Sequence, residues 1–243
     1  TMSLRSGAPD PFAFDAAVAL ARASDGDIYA ACSARTGDGT MGLAMTRFDA
    51  DMGVWTSAPT ILAYHGHSWS ELFARDDGYF VGVTDLGYSD RYFSFDEESA
   101  LVANLALVPS ASGRGESAAA MTDAGLLYTF TDRRLELSDG SLVEVIPTSV
   151  VSGSRSDVDM ALDADGNPVI AYHDPTRDEV VLAVRMPHGG WARRTWAAST
   201  FVPFPTDAAW ISLDLERLTS GALALVGGDS MDRSALRYVE ITR

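Results

Sequence analysis

The chain has 243 residues, 47% hydrophobic and 21% charged, which is the composition of an ordinary globular protein. Its formal net charge of −16 excludes nucleic acid and anionic membrane surfaces as partners, because both need clustered basic side chains. No apolar run reaches the ~20 residues that span a bilayer, and the one cysteine, Cys32, excludes an intrachain disulfide and reads as a buried thiol.

All the basic side chains are arginines; the sequence contains no lysine and no glutamine. The opening stretch, TMSLRSGAPDPFAFD, carries no apolar signal-peptide core. A mature secreted chain lacks one too, so the compartment stays open, with secretion or the cell surface as the preferred location.

In chain order, a strand-like piece at residues 2–7 precedes a hairpin signature that recurs five times. Each instance is a short apolar strand, a turn of Asp or Ser beside Gly, and a second apolar strand. The first, AVALARASDGDIYAAC, opens a repeat over 14–62 that continues through MGLAMTRF, the turn DADMG and VWTSAPTI. The second, WSELFARDDGYFVGV, opens 67–109; the third, SAAAMTDAGLLYTF, opens 114–149, with a second turn at Ser138–Gly140. The fourth, DVDMALDADGNPVIAY, opens 155–199 and runs on through EVVLAVRM, PHGG and WARRTWA. The fifth, ISLDLERLTSGALALV, opens 207–243 and ends after a third strand, SALRYVEITR. The turn glycines, Gly26, Gly78, Gly125, Gly166 and Gly221, are assigned the positive φ that tight hairpins demand.

Four short strands per ~40–50 residues is the period of a β-propeller. The expected fold is therefore all-β: a single five-bladed propeller of four-stranded antiparallel blades. Its last blade has three strands of its own, and residues 2–7 supply the fourth, which removes an exposed edge. A fragment of a larger ring is the rival reading.

The fourth repeat, SDVDMALDADGNPVIAYHDPTRDEVVLAVRMPHGGW, resembles the repeats of bacterial propeller proteins, many of them secreted or surface-held. That resemblance covers about one blade and implies an architecture, not an activity. The stretch DADMGVW, Asp49 to Trp55, resembles a degenerate sialidase Asp box and is read as a structural turn.

Inner strands come first in each blade. Seven residues before each turn glycine stand Ala19, Glu71, Ala118, Asp159 and Asp214. Three carboxylates in otherwise apolar strands suit glycoside hydrolysis, which needs a proton donor and a nucleophile or base. The layout is similar to that of five-bladed glycosidases and lectins, without their motifs; it implies Glu71, Asp159 and Asp214 as catalytic residues if the chain is an enzyme. Two further acids, Glu116 and Asp157, fall on the same strand face by the period of two.

Ligand-binding candidates gather on the loops between second and third strands and between blades, which share one face. AYHGHSWSE gives His65, His67 and Trp69 beside Glu71. Alternate histidines suit a metal, with His173 and Asp174 as further ligands, but a pair that binds no metal is the preferred reading and no cofactor is expected. The loops TDLGYSDR, TDRR, HDPTRD and GDSMDR add Asp85, Tyr88, Asp132, His173, Asp174 and Asp229, with Trp210 nearby. Acid and aromatic groups together suit sugars.

DADGN at Asp163–Asn167 lacks the spaced acids of a calcium loop and reads as a hairpin turn. No GxxxxGK[ST] or GxSxG pattern occurs. Trp55 and Trp191 are assigned to packing between blades.

Three functions follow. The preferred one is a non-catalytic binding or interaction module for a glycan, a small polar molecule or a protein, as monomer or homo-oligomer. The others are a glycoside hydrolase using the inner-strand acids and a structural subunit of a larger assembly.

Overall fold

The computed structural model describes residues 13–35, 41–55, 60–62, 68–84, 90–97, 100–106, 117–152, 156–201, 211–229 and 236–241. The chain divides into two compact units, residues 1–107 and 108–243. Each is built of antiparallel sheets whose strands follow one another in chain order, giving the all-β, five-bladed propeller class.

The first unit holds two sheets. One runs β1 (Ala13–Arg22), β2 (Ile28–Arg35), β3 (Met41–Asp49), with an outer strand in two pieces, β4 (Val54–Trp55) and β5 (Thr60–Leu62), both paired to β3. The other runs β6 (Ser68–Arg75), β7 (Gly78–Thr84), β8 (Asp90–Phe95), β9 (Leu101–Ala106). Their shared core is aromatic. Tyr79 stacks on Phe95 at 5.2 Å between centroids and meets Tyr29 at 5.0 Å.

The second unit holds three sheets. They are β10 (Ser117–Met121) to β13 (Leu142–Val145) through β11 (Leu127–Thr131) and β12 (Arg134–Leu137); β14 (Ser156–Leu162) to β17 (Trp191–Ala197) through β15 (Pro168–Asp174) and β16 (Glu179–Arg185); and β18 (Ile211–Arg217), β19 (Leu223–Asp229), β20 (Leu236–Ile241). The last sheet has three described strands. The closing strand expected at residues 2–7 lies outside the described residues. Among the described residues, no helix is long and apolar enough to cross a membrane.

β15 explains why the middle sheet is apolar throughout. Successive side chains alternate faces, so Ile170 and Tyr172 enter one core while Val169 and Ala171 enter another. β16 repeats the pattern with Val181 and Ala183 against Val180 and Leu182. All of β15 is buried, and its bulky side chains each contribute roughly 1.5–3 kcal/mol by leaving water. The outer strand β17 is largely exposed. Trp191 Nε1–H donates to Glu144 of the neighbouring sheet at 2.5 Å, as expected of packing between blades, whereas Trp55 packs edge-on against Phe48, its partner within its own sheet.

Four of the five first hairpins share one closure. Thr122 N–H donates to Leu126 O at 2.8 Å, Asp163 N–H to Asn167 O at 3.0 Å, and Leu218 N–H to Ala222 O at 2.8 Å; Ala23 and Asp27 pair alike at 2.9 Å. In each, the glycine sits inside the turn with φ between 76° and 99°. Gly78 is different. Its hairpin is one residue shorter, Arg75 pairs Gly78 directly, and the glycine is the first residue of β7. A Cβ there would lie 2.0 Å from the Phe95 carbonyl oxygen, so close approach of two backbones requires it.

The two kinds of glycine separate under mutation. Gly166→Ala, with open space around it and φ 77°, is expected to lose about 1 kcal/mol from left-handed strain alone. Gly78→Ala must displace the β8 backbone and is expected to lose about 3 kcal/mol or more. Chemical denaturation of the two variants measures both.

Candidate binding corner on the loop face of the fourth blade

The hairpin closures give a common ruler for the inner strands. Four residues back from each closing pair stand Ala19, Glu71, Ala118, Asp159 and Asp214, opposite Ala31, Gly82, Phe130, Ala171 and Val226. The three carboxylates thus occupy one equivalent rung, Glu71 in the first unit and Asp159 and Asp214 in the second.

Two of the three are engaged by the protein. The buried Tyr92 hydroxyl donates to Glu71 Oε2 at 2.5 Å. Asp159 shares its strand face with Ala161, toward the core that includes β18. Its Oδ2 accepts the backbone N–H of Leu215 at 2.5 Å, and its Oδ1 accepts that of Met160 at 2.7 Å. Burial nevertheless pushes the Asp159 carboxyl up to about 7; the two N–H groups oppose that rise, and the charges of Asp214 and Glu216 add to it. Asp214 is exposed. Glu216, two residues on, is raised by shielding of its carboxyl and then by Asp214, a participant the sequence reading missed although alternation puts both on one face.

β-bulges interrupt three inner strands just before this rung. The register slips between Phe14 and Val18, between Trp69 and Glu71, and between Ser156 and Asp159. In β14, Asp157 and Val158 together oppose Tyr172. The extra residue breaks the period of two, so the expectation that Asp157 simply repeats the placement of Asp159 is corrected. Asp157 takes φ 47°, a left-handed conformation that Asp tolerates better than most side chains. Its Oδ2 is buried and has no hydrogen-bond partner among the described residues. Burial alone raises its carboxyl to about 6.

The neighbouring groups are ordered. His173, paired with Ser156, is 7% exposed, and burial lowers its pKa against the pull of Asp178 and Asp174. Asp174 is fully buried and holds the following turn, accepting Thr176 N–H at 3.1 Å and Arg177 Nη1 at 3.3 Å. Asp178 ends that turn at φ 53°. The Tyr172 hydroxyl donates to Val150 O at 3.0 Å and accepts Ser152 N–H at 3.1 Å. On the same sheet, Asp157 Oδ2 stays without a hydrogen-bond partner among the described residues.

Of the other expected contacts, His65, His67, Asp85, Tyr88, Trp210 and Glu116 lie outside the described residues. Trp69 and Asp229 pair through their backbones with Val83 and Ile211. Asp132 is exposed at φ 45° in the two-residue turn between β11 and β12. Among the described residues, no group of three or more His, Cys, Asp or Glu is placed to hold a metal. Asp163 ties its own hairpin, with Oδ1 accepting Asp165 and Asn167 N–H at 2.8 and 2.9 Å; Asp49 likewise accepts Met52 N–H at 2.7 Å. Both stretches are turns.

No protein-family profile and no curated protein matches the chain. Solved structures do. A polysaccharide lyase aligns with a TM-score of 0.50 and 10% identity over 92% of this chain and 57% of its own. A GH43_1 enzyme from Xanthomonas citri, complexed with xylotriose, gives 0.49 and 11% over 95% and 87%. A GH43 β-xylosidase/α-arabinofuranosidase from a compost microbial metagenome gives 0.47 and 14% over 90% and 88%. At these identities the likeness is one of fold.

The raised Asp157 carboxyl has a measurable consequence. A proton held more tightly in the folded state stabilises that state fully below the ordinary value of 3.8, and the contribution is lost as pH rises through about 6. Asp157→Asn is therefore expected to melt higher than the parent at about pH 8, with the difference closing toward about pH 4. Paired thermal melts across that range check it; a constant difference contradicts it.

Proposed function

We propose that this chain is a non-catalytic binding module whose ligand is a glycan or similar hydroxyl-rich molecule. The ligand docks at the loop-face corner of the fourth blade, with a hydroxyl donating to Asp157 and His173 beside it. One contrast carries this reading. Glu71 and Asp159 already accept hydrogen bonds from the protein, while the Asp157 oxygen, buried and held in strained backbone, has no partner among the described residues. A buried acceptor left unpaired costs about 1–3 kcal/mol, which a ligand hydroxyl recovers.

A glycoside hydrolase is the second reading, and it too has an observation in its favour. Asp159, raised to about 7, has Asp214 as a charged neighbour, and an acid held protonated beside a second carboxylate is the arrangement such chemistry uses. Against it stand the two backbone N–H groups that already occupy Asp159.

A glycan array followed by titration of its strongest hit tests both readings. Asp157→Asn, which keeps the left-handed backbone accessible, is expected to weaken binding about tenfold or more, the loss of one charge-assisted hydrogen bond. Asp214→Asn is expected to leave affinity unchanged. Hydrolysis of that glycan or of chromogenic glycosides by the parent, abolished in Asp214→Asn, would instead establish the enzyme.

A further inference from the structure

The first unit holds an arginine with no carboxylate partner among the described residues. Arg91 closes the loop TDLGYSDR, in which Asp85 and Tyr88 are ligand-binding candidates, and is the second residue of β8. It pairs with Val83, and Val83 with Trp69, so it stands one rung from the loop end of its sheet. The side chain is half-buried, and its Nε is buried with no hydrogen-bond partner among the described residues. The corresponding loops of the second unit treat arginine differently. Arg134 donates from Nε and Nη2 to Glu136 Oε1 at 2.9 and 2.7 Å, and Arg177 donates to Asp174 at 3.3 Å.

Position explains the missing partner. Alternation puts Arg91 on the face of Phe93 and Phe95, which belong to the aromatic core of this unit. Glu71, one rung further in, lies on the opposite face with Tyr92, whose hydroxyl it accepts. The strands β2 and β3 supply Tyr29, Ala31 and Met45 to the same core. They carry one acid, Asp49, at the hairpin end of β3 and away from the loops. A guanidinium at the edge of an aromatic core, in a chain of net charge −16, is therefore left uncompensated where the surroundings are least like water. One arginine suits a small anion rather than a polyanion, whose binding takes many basic groups. Its planar fork matches a carboxylate, which accepts parallel N–H···O bonds from both terminal nitrogens.

We propose that Arg91 is an anion-recognition residue, and that the loop end of the second blade binds a small organic carboxylate through the terminal nitrogens of its guanidinium. A free organic acid and a uronic acid within a glycan share this chemistry.

The test follows the arginine Nε–H resonances of the full, isotope-labelled chain during titration with D-glucuronate, propionate, D-glucose and sodium sulfate at constant ionic strength. Glucuronate is expected to saturate with a Kd on the order of 1 mM and to move the Arg91 resonance. Glucose is expected to leave it unmoved, and sulfate to bind at least about fivefold more weakly because it lacks the planar match. Propionate binding as well as glucuronate assigns the site to a free acid, and weaker propionate assigns it to a uronic acid; both support a carboxylate site. Arg91→Lys keeps the charge and loses the fork, and is expected to weaken glucuronate about fivefold or more. Arg91→Met keeps the length of the stem. It is expected to abolish binding and to melt no lower than the parent, since no partner in the protein is left behind. The proposal is overturned if neither carboxylate saturates, if glucose or sulfate matches glucuronate, or if Arg91→Lys binds glucuronate as the parent does. Arg91→Met melting well below the parent also overturns it, by giving the guanidinium a structural role.

Discussion

The inner strand of the fifth blade pairs with β19 and gives its Leu215 N–H to a side chain rather than to another strand. That side chain is Asp159, from the neighbouring blade, and the bond measures 2.5 Å. A backbone donor at a buried edge has to be satisfied, and here a carboxylate does it across the gap between two sheets. The clamp fixes β14 against β18 and sets the position of what precedes Asp159 on β14. It also occupies a carboxylate that would otherwise look catalytic. On the proposed reading, the ligand site lies one step upstream, at the bulge where the strand departs from regular pairing.

Burial acts alike on the two acids of this strand and leaves them in different situations. Both are raised above the ordinary carboxylate range, Asp157 to about 6 and Asp159 to about 7. Asp159 has backbone donors and Asp157 Oδ2 has none among the described residues. A buried oxygen without a partner among the described residues, on a non-glycine residue with φ 47°, forgoes stability at that point. On the strand opposite, the Tyr172 hydroxyl and the Asp174 carboxylate both have hydrogen-bond partners.

Much of the architecture was legible because glycine is hard to replace where φ is positive. Gly26, Gly125, Gly166 and Gly221 mark equivalent turns, so spacing from them located equivalent rungs. Gly78 led to the correct rung for a different physical reason. Its hairpin is shorter by one residue, and the glycine sits one place later relative to the closing pair, so the two offsets cancel. The bulge at Asp157 was not legible: Asp-Val-Asp reads as plain alternation, and nothing local marks an inserted residue. Nor was the clamp, since Leu215 lies 56 residues from Asp159 and offers only a backbone group. Asp174, singled out for ligand binding, accepts the Thr176 N–H of its own turn, as Asp does in many loops, and Asp132 sits in a two-residue turn at φ 45°.

The division of labour between Asp157 and Asp159 is open to one direct measurement: carboxyl-carbon NMR of both residues, titrated with pH, in the free protein and with the strongest glycan of the array bound. The account predicts that Asp157 titrates near 6 and Asp159 near 7 in the free protein, and that ligand moves the Asp157 resonance and its midpoint while Asp159 stays where it was. A ligand that moves Asp159 and Asp214 and leaves Asp157 untouched would contradict the account and place the chemistry on the rung instead of the bulge.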